Sequence, residues 1–563
     1  MKRISGWLPE AAVLLAACAI RLPGAARAAI SESEARLWMF ASEPWNSLWN
    51  IFSLRAEHHS GDSFAYVVLL KLWMAAGGDG LLWMRIPSIA AGIGAVALTY
   101  ALARRLFGRS AGCVAALMLA LMASHIGGSR LSGAASISIF LCLLTLLLFH
   151  KIFESESGRA ASAAFAVSAL AGLCFGVQTA MLLVPINILF FGFAKERRRR
   201  LVWWIPLNIF LLAAAAYWMT RWAAPFFMPA GVDPEEAIFH IFPKESFLSM
   251  NFRLMFMMKY VSALYTIGGL PGGASSLPNG FAFIGAVLLP IVYHYYPFVG
   301  FREYPEGYRP RLFAFVTLAG LLAFAGLLSI TVYQARLWEA LAPGAVMLYA
   351  VCANGAARFA GWRARALLAL MLLCAAAGFV PMQRATENAR PDWAGASDAV
   401  ASVPGASVVF IDGSIAAPAY YAMRSRTDSR DRIIALWHNF DLTQTKDGGY
   451  RQSAVAPALG ATIDSHPPDG AAEALSDYRA VSAGGAWFAF KGSINIDENM
   501  GGYVVDPPQK PRWAREYAIW LIKNARIIKA YRMDDGFRDA DADASAAVEN
   551  SDKYYLLWMT APR

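Results

Sequence analysis

Apolar runs long enough to cross a bilayer recur along the first two thirds of the chain and stop near residue 381. A transmembrane helix takes about 17–25 mostly apolar residues. The pattern predicts such helices at 8–27, 86–103, 111–128, 131–150, 160–177, 180–194, 201–219, 280–299, 311–333, 337–357 and 364–381, eleven in all. One more apolar run, SFAYVVLLKLWMAAG at 63–77, is short and carries Lys71 in its middle. Beyond 381 the runs shrink to strand length: ASVVFI (406–411), RIIALW (432–437), AWFAF (486–490), RIIKAY (526–531) and YYLLWM (554–559). Helix-like stretches such as WAREYAIWLIKNA (513–525) lie between them. Strands alternating with helices predict a small α/β domain. It has no glycine-rich phosphate loop, and no repeat of solenoid length recurs along the chain.

The basic residues set the direction of the helices. With the N-terminus inside, the inner connections hold Lys2, Arg3, Arg104, Arg105, Arg109, Lys151, Arg159, Lys195, Arg197 to Arg200, Arg302, Arg309, Arg311, Arg358, Arg363 and Arg365, eighteen in total. The short outer connections near 129–130, 178–180 and 334–336 hold only Arg130 and Arg336. That asymmetry is the positive-inside pattern. Counting 63–77 as a crossing would invert every later helix, so it reads as a helix lying at the outer interface. The expected architecture is a transmembrane domain over 1–381, with long outer loops at 28–85 and 220–279. An extracytoplasmic α/β domain follows over 382–563. The opening residues, MKRISGW followed by an apolar stretch and AARAA, resemble a cleaved leader. Arg21 and Pro23 break that run and many spans follow, which favours a retained first helix.

Composition agrees and removes one class of function. Of 563 residues, 57% are hydrophobic and 16% charged, and the mean hydropathy is +0.41. A soluble domain carries about a quarter charged residues, so much of this chain faces lipid. The net charge of +10 would point to nucleic acid in a soluble protein. Here the cations cluster between apolar runs, as in KERRRR at 195–200, and membrane topology accounts for them. All six cysteines (Cys18, Cys113, Cys142, Cys174, Cys352 and Cys374) lie inside apolar segments. They suggest neither a disulfide framework nor a thiolate metal site.

The outer segments carry the candidate chemistry. Trp38, Trp45, Trp49 and Phe52 fall on one helical face, interrupted at SEPW, where Pro44 can open a second helix. An aromatic stripe beside a polar face marks helices lying flat at a membrane interface. Ser31-x-x-Glu34 fits a capping box, in which the glutamate closes the start of the first of these helices. Glu32 reads as a solvated acid of the first turn. Arg130 and Arg336 each sit in a very short outer turn, where topology disfavours a cation. Arginine is the natural bidentate partner of phosphate, and the alternative is snorkelling to headgroups. Arg85, before IPS, is similar, with helix-end anchoring as its alternative. His58, His59 and Asp62 offer metal-ligand types, but adjacent histidines do not readily face one ion, and a solvated loop is the simpler reading. No clear metal-ligand motif emerges, and a divalent cation stays open. Glu236 and His240 read as a surface pair. DADAD (539–543) lacks the glycine and glutamate of a calcium loop. The methionine-rich 249–260 fits a lipid-tail groove or packed core.

An acidic motif after the first helix, followed by YVVLLKLWMAAGGDGLLWMRIPSIAAGIGAVALTYALARRLFGRSAGCVAALMLAL (66–121), resembles the GT-C membrane glycosyltransferases. The likeness is to the branch of protein O-mannosyltransferases and lipid A aminoarabinose transferases (glycosyltransferase family 39-like). ARLWEALAPGAVMLYA (335–350), RPDWAGASDAV (390–400) and APAYYAM (417–423) resemble later parts of the same family. The resemblance implies transfer of a sugar from a polyprenyl-phosphate carrier to a glycan, lipid or protein acceptor. The reaction would occur on the outer face of the plasma (inner) membrane. The family's usual Asp-Glu reads Ser33-Glu34 here, and Asp62-Ser63-Phe64 stands where His-Pro-Pro is common. On this resemblance Glu34 takes the catalytic carboxylate's part, and Arg85, Arg130, Arg336, Asp62 and His59 surround the substrate. An inactive GT-C scaffold that binds a lipid or a glycan-assembly partner is the alternative that Ser33 favours. A secondary transporter is the other alternative, but the spans are nearly free of midspan charge and show no matching halves.

Overall fold

The computed structural model describes residues 8–27, 29–52, 63–154, 159–176, 178–193, 197–218, 391–402, 409–411, 416–423, 433–435, 442–444, 450–452, 486–491, 526–533, 538–539 and 554–560. The expected spans at 280–299, 311–333, 337–357 and 364–381 lie outside these residues. So do the loop 220–279, the helix 513–525 and most of DADAD. The chain divides into two compact units: Met1–Arg27 with Gly61–Ala385, and Ala28–Ser60 with Thr386–Arg563.

The first unit is helical. Its described helices are α1 (Leu8–Arg27), α4 (Phe64–Gly77), α5 (Leu81–Phe107), α6 (Arg109–Leu121), α7 (Ala123–Arg130), α8 (Ala134–Glu154), α9 (Arg159–Phe175), α10 (Gln178–Phe193) and α11 (Arg197–Trp218). By length and apolar composition alone, Leu81–Phe107 and Ala134–Ile152 suffice to cross a membrane among the described residues, and shorter apolar helices flank them. Helix α4 has 14 residues, about 21 Å at 1.5 Å per residue, short of the roughly 30 Å hydrocarbon layer.

Helix α5 is the centre of this unit and packs against α1, α6, α7 and α8, while α8 packs on α9 and α10. A single residue, Gly108, joins α5 to α6 with φ of +97°, a conformation that strains any residue with a Cβ. Trp204 of α11 organises a second cluster, stacked on Phe190 with centroids 4.1 Å apart and close to Phe149 and Phe165. The Trp204 indole donates to Asn187 Oδ1 at 3.0 Å, and Asn187 Nδ2 donates to Asn208 Oδ1 at 2.7 Å. On the same helices Val167, Ile188, Val202 and Ile209 are exposed. Apolar residues both inside and outside are what lipid-facing helices require.

The α4–α5 corner is clasped by two indoles. Trp73 Nε1 donates to the Trp83 carbonyl and Trp83 Nε1 to the Trp73 carbonyl, both at 2.9 Å. The rings stack with centroids 4.6 Å apart. Pro87 has no N–H for the Trp83 carbonyl, so Trp73 satisfies an acceptor that the helix leaves open. Gly77 makes room, since a Cβ there would lie 2.2 Å from the Trp83 ring.

One expected span is broken. The stretch 111–128 forms two helices, α6 and α7, separated at Met122, whose ψ of 116° is extended. The break removes the helical partner of the Ala120 carbonyl, and a buried arginine replaces it, as described below.

The second unit is α/β. Strands β1 (Val409–Ile411), β2 (Ile433–Ala435), β5 (Ala486–Lys491), β6 (Arg526–Arg532), β7 (Arg538–Asp539) and β8 (Tyr554–Thr560) form a sheet of order β2-β1-β5-β8-β6-β7. The β2-β1-β5 side is parallel and the β5-β8-β6-β7 side antiparallel. Strands β3 (Leu442–Gln444) and β4 (Tyr450–Gln452) pair separately. Trp487 and Trp558 are cross-strand partners with ring centroids 5.0 Å apart, the kind of aromatic pair that fixes register.

Helices α2 (Glu32–Ser42) and α3 (Trp45–Phe52) belong to this unit, with α12 (Trp393–Ala401) and α13 (Ala416–Met423). Helix α2 packs on α13, with Trp38 edge-on to Tyr421 at 5.1 Å. The aromatic stripe therefore splits at the Pro44 restart: Trp38 is buried, whereas Trp45 and Trp49 are 52% and 60% exposed. Asp392 caps α12 through Gly395 N at 3.0 Å and donates its own N–H to the Met533 carbonyl at 2.8 Å, tying α12 to the end of β6.

Candidate functional site

In the first unit, three arginines from three helices meet on the backbone of α1. Pro23 lies inside α1 and leaves the Ala19 carbonyl without its helical donor. Beside that interruption, Arg130 Nη2, from the last residue of α7, donates to the Ile20 carbonyl. Arg85 Nη1, from the first turns of α5, donates to the Ala25 carbonyl at 2.6 Å. Ala25 is among the last residues of α1, whose carbonyls need partners and carry the negative end of the helix dipole. The two accepting carbonyls are five residues apart, about 7.5 Å along the helix axis.

Arg21 is the third and is wholly buried. Its Nε donates to Ser129 Oγ at 2.9 Å, and its Nη1 to the carbonyls of Ala17 and Ala120, both at 3.2 Å. Its Nη2 lies 2.7 Å from His125 Nδ1. Since guanidinium only donates, that imidazole nitrogen is the acceptor and Nε2 carries the ring proton. None of these partners is charged. The Ala120 carbonyl loses its helical donor at the break at Met122, and Arg21 takes that donor's place.

A hydroxyl network adjoins the arginines. Tyr66 Oη of α4 lies 3.1 Å from Ser88 Oγ and 2.9 Å from Ser132 Oγ. Ser132 donates to the Met84 carbonyl at 3.1 Å and Ser88 to the Gly133 carbonyl at 2.9 Å. Ser88 is three residues from Arg85, and Ser132 is two from Arg130. The hydroxyls thus link α4, α5 and the α7–α8 turn.

Glu34 belongs to the second unit and is buried. It forms the capping box that its spacing suggested: Ser31 N donates to Glu34 Oε2 at 2.9 Å and Glu34 N to Ser31 Oγ at 3.3 Å. Ser31 Oγ also donates to Glu34 Oε2 at 3.0 Å. Arg336, Asp62 and His59 lie outside the described residues, as do His58, Glu236, His240 and 249–260. Among the described residues, no group of three or more His, Cys, Asp or Glu side chains is placed to hold a metal.

At the opposite end of α1, Glu10 accepts from Arg109 and from Tyr100. Arg109 lies just before the expected span 111–128, and its bond to Glu10 raises its affinity for the proton above that of a free arginine.

Sequence reasoning missed Arg21, His125 and Ser129 as a unit. The available signal was an arginine in a stretch of membrane-spanning character. Such a residue is expected to face the bundle interior and find polar partners.

The crystal structure of ArnT from Cupriavidus metallidurans bound to undecaprenyl phosphate is similar over 98% of each chain, with a TM-score of 0.50 and 12% identity. The apo oligosaccharyltransferase of Archaeoglobus fulgidus matches with a TM-score of 0.48 and 10% identity, over 96% of this chain and 76% of that one. AglB from the same organism, in complex with an inhibitory peptide and a dolichol-phosphate, matches at 0.45 and 10%, over 96% and 75%. Residues 63–222 match the family described as dolichyl-phosphate-mannose-protein mannosyltransferase. The segment match and the fold support a GT-C superfamily glycosyltransferase. No curated protein sequence matches the chain.

Proposed function

We propose that this chain is an inverting glycosyltransferase that moves a sugar from a polyprenyl-phosphate donor to a glycan, lipid or protein acceptor. The reaction takes place on the outer face of the plasma membrane, with the N-terminus cytoplasmic and the α/β unit outside. The observation that most supports this is the gathering of Arg85 and Arg130 at the Arg27 end of α1. On the proposed topology that is the outer end, at the depth of a lipid phosphate. Undecaprenyl phosphate in the similar ArnT structure and dolichyl-phosphate-mannose in the family description supply the donor class.

In the reaction, the acceptor hydroxyl oxygen bonds to the anomeric carbon as the bond from that carbon to the phosphate oxygen breaks. The electron pair leaves with the polyprenyl phosphate and the hydroxyl proton passes to a carboxylate. The leaving group is already a stable anion, so cations that hold its growing charge matter more than a general acid. Arg85, Arg130 and Arg336 are assigned that part. Glu34 is assigned as base, and Asp62 and His59 as substrate-binding residues. Helix α4, too short to span, lies along the outer interface.

The test is transfer from a labelled lipid-linked sugar by purified full-length protein. Glu34→Gln keeps an oxygen to accept from Ser31 but cannot take a proton, so transfer falls about 100-fold or more while donor binding holds. Glu32→Gln is the control and is mild. The second reading, an inactive scaffold, is favoured by the capping box together with Ser33 in place of the family's aspartate. Equal, small effects at both glutamates with transfer present would move the base to Asp62. No transfer by the unaltered protein with any polyprenyl donor would leave the scaffold. A reporter fused after Arg563 that is active only in the cytoplasm would overturn the topology.

A further inference from the structure

We propose that Arg21 is a positioning residue that locks α7 in place and so aims Arg130. This rests on the reading above that Arg130 meets the donor phosphate. Helix α7 has eight residues, too few to hold its own direction in isolation. Three of the four bonds from the Arg21 side chain hold the α6–α7 corner: one to the Ala120 carbonyl just before the break, and one each to His125 and Ser129 on α7. The fourth, to the Ala17 carbonyl, anchors the guanidinium on α1. Ser129 immediately precedes Arg130, and its own hydroxyl donates to the Ile126 carbonyl at 3.0 Å. The orientation of α7 is thus written into one planar group with donors on three nitrogens.

The packing around this group leaves no slack. Gly92 of α5 faces Ser129, and a Cβ at Gly92 would lie 2.5 Å from the Ser129 Cβ and 3.5 Å from Arg21 Nε. Arg21, His125 and Ser129 are each at most 1% exposed, so no solvent can replace a lost bond. A lysine at position 21 keeps the charge but offers one nitrogen in place of three and cannot reproduce the fork. Arg21 and Arg130 donate to carbonyls of α1 three residues apart, those of Ala17 and Ile20, so Arg130 is held beside another cation and needs a rigid α7 to stay there.

The experiment pairs a distance with a binding measurement on the full chain in nanodiscs. Spin labels are placed on Gly80→Cys and Gly133→Cys, where an added side chain meets open space, after the six native cysteines are replaced. The ligand probe is undecaprenyl phosphate. Arg21→Lys is expected to broaden the Gly80–Gly133 distance distribution and weaken binding about tenfold or more. Adding Arg21→Lys to Arg130→Ala should cost little further binding, because both act through one contact. Ser129→Ala, which removes one bond and preserves the charge, is the milder variant if Arg21→Lys does not fold, and should shift both readouts in the same direction. An unchanged distance distribution in the variant that folds overturns the proposal. So does unchanged binding in Arg21→Lys when Arg130→Ala binds poorly. A broadened distribution with full binding in both Arg21→Lys and Arg130→Ala keeps Arg21 as the lock of α7 and overturns the phosphate role given to Arg130.

Discussion

The two ends of α1 are both fastened by arginine, in opposite ways. At the Leu8 end, Arg109 grips Glu10 with two bonds, Nε to Oε1 at 2.8 Å and Nη2 to Oε2 at 2.9 Å. Tyr100 donates to the same carboxylate at 2.6 Å, and Arg104 donates to the Tyr100 hydroxyl at 3.2 Å. Arg109 is 46% exposed. Toward the Arg27 end, Arg21 is buried and every partner it has is neutral. A carboxylate cancels the cation it holds, and water screens what is left. Carbonyls, a hydroxyl and an imidazole satisfy the donors and leave the charge standing. The first arrangement fastens helices; the second fastens them and also sustains a positive potential in a medium of low dielectric.

The sharpest way to break this contrast is Arg21→Leu. It strands the Ala120 carbonyl and His125 Nδ1 in a water-free interior, and stability should fall by about 2–5 kcal/mol. Thermal unfolding of the purified protein reads this, and an unchanged midpoint would show the buried network to be ornamental. Gly92→Ala probes the same place by volume. With backbone-adjacent atoms in the way rather than a free side-chain end, a loss of about 1–3 kcal/mol is expected, again on the unfolding midpoint. Glu10→Gln at the other end should have the smallest effect. An exposed pair contributes little and is screened by salt, so the midpoint should stay within scatter and the small difference should vanish at high salt. A Glu10 effect as large as that of Arg21 would erase the distinction between the two ends.

Much of the fold was legible because long-range order here follows local chemistry. The helices α1, α5, α8, α9, α10 and α11 lie where apolar runs of the right length placed them, and five of the strands fall on the five short apolar runs. The capping box was visible as Ser31-x-x-Glu34, since its bonds join residues three apart. What escaped was set by contacts distant in sequence. The break at Met122 has no proline or glycine to announce it; the carbonyl it frees at Ala120 is met by a guanidinium 99 residues away. Strands β3, β4 and β7 are two or three residues long and polar, so their pairing rather than their pattern defines them. For the candidate site, Arg85 and Arg130 were legible as cations on the wrong side of the charge bias. Their shared target, the backbone of α1, was not, because a carbonyl has no letter of its own.

The glycine between α5 and α6 makes the two helices one mechanical piece. Helix α6 has 13 residues, about 20 Å, and cannot bridge the hydrocarbon layer by itself. Gly108 leaves no room for a longer connection: successive Cα atoms are about 3.8 Å apart, and α6 packs directly on the 27-residue α5. The pair is therefore one helical hairpin, closed by the positive φ of Gly108 and held by the packing of α6 on α5, and any residue with a Cβ at 108 would strain both arms at once.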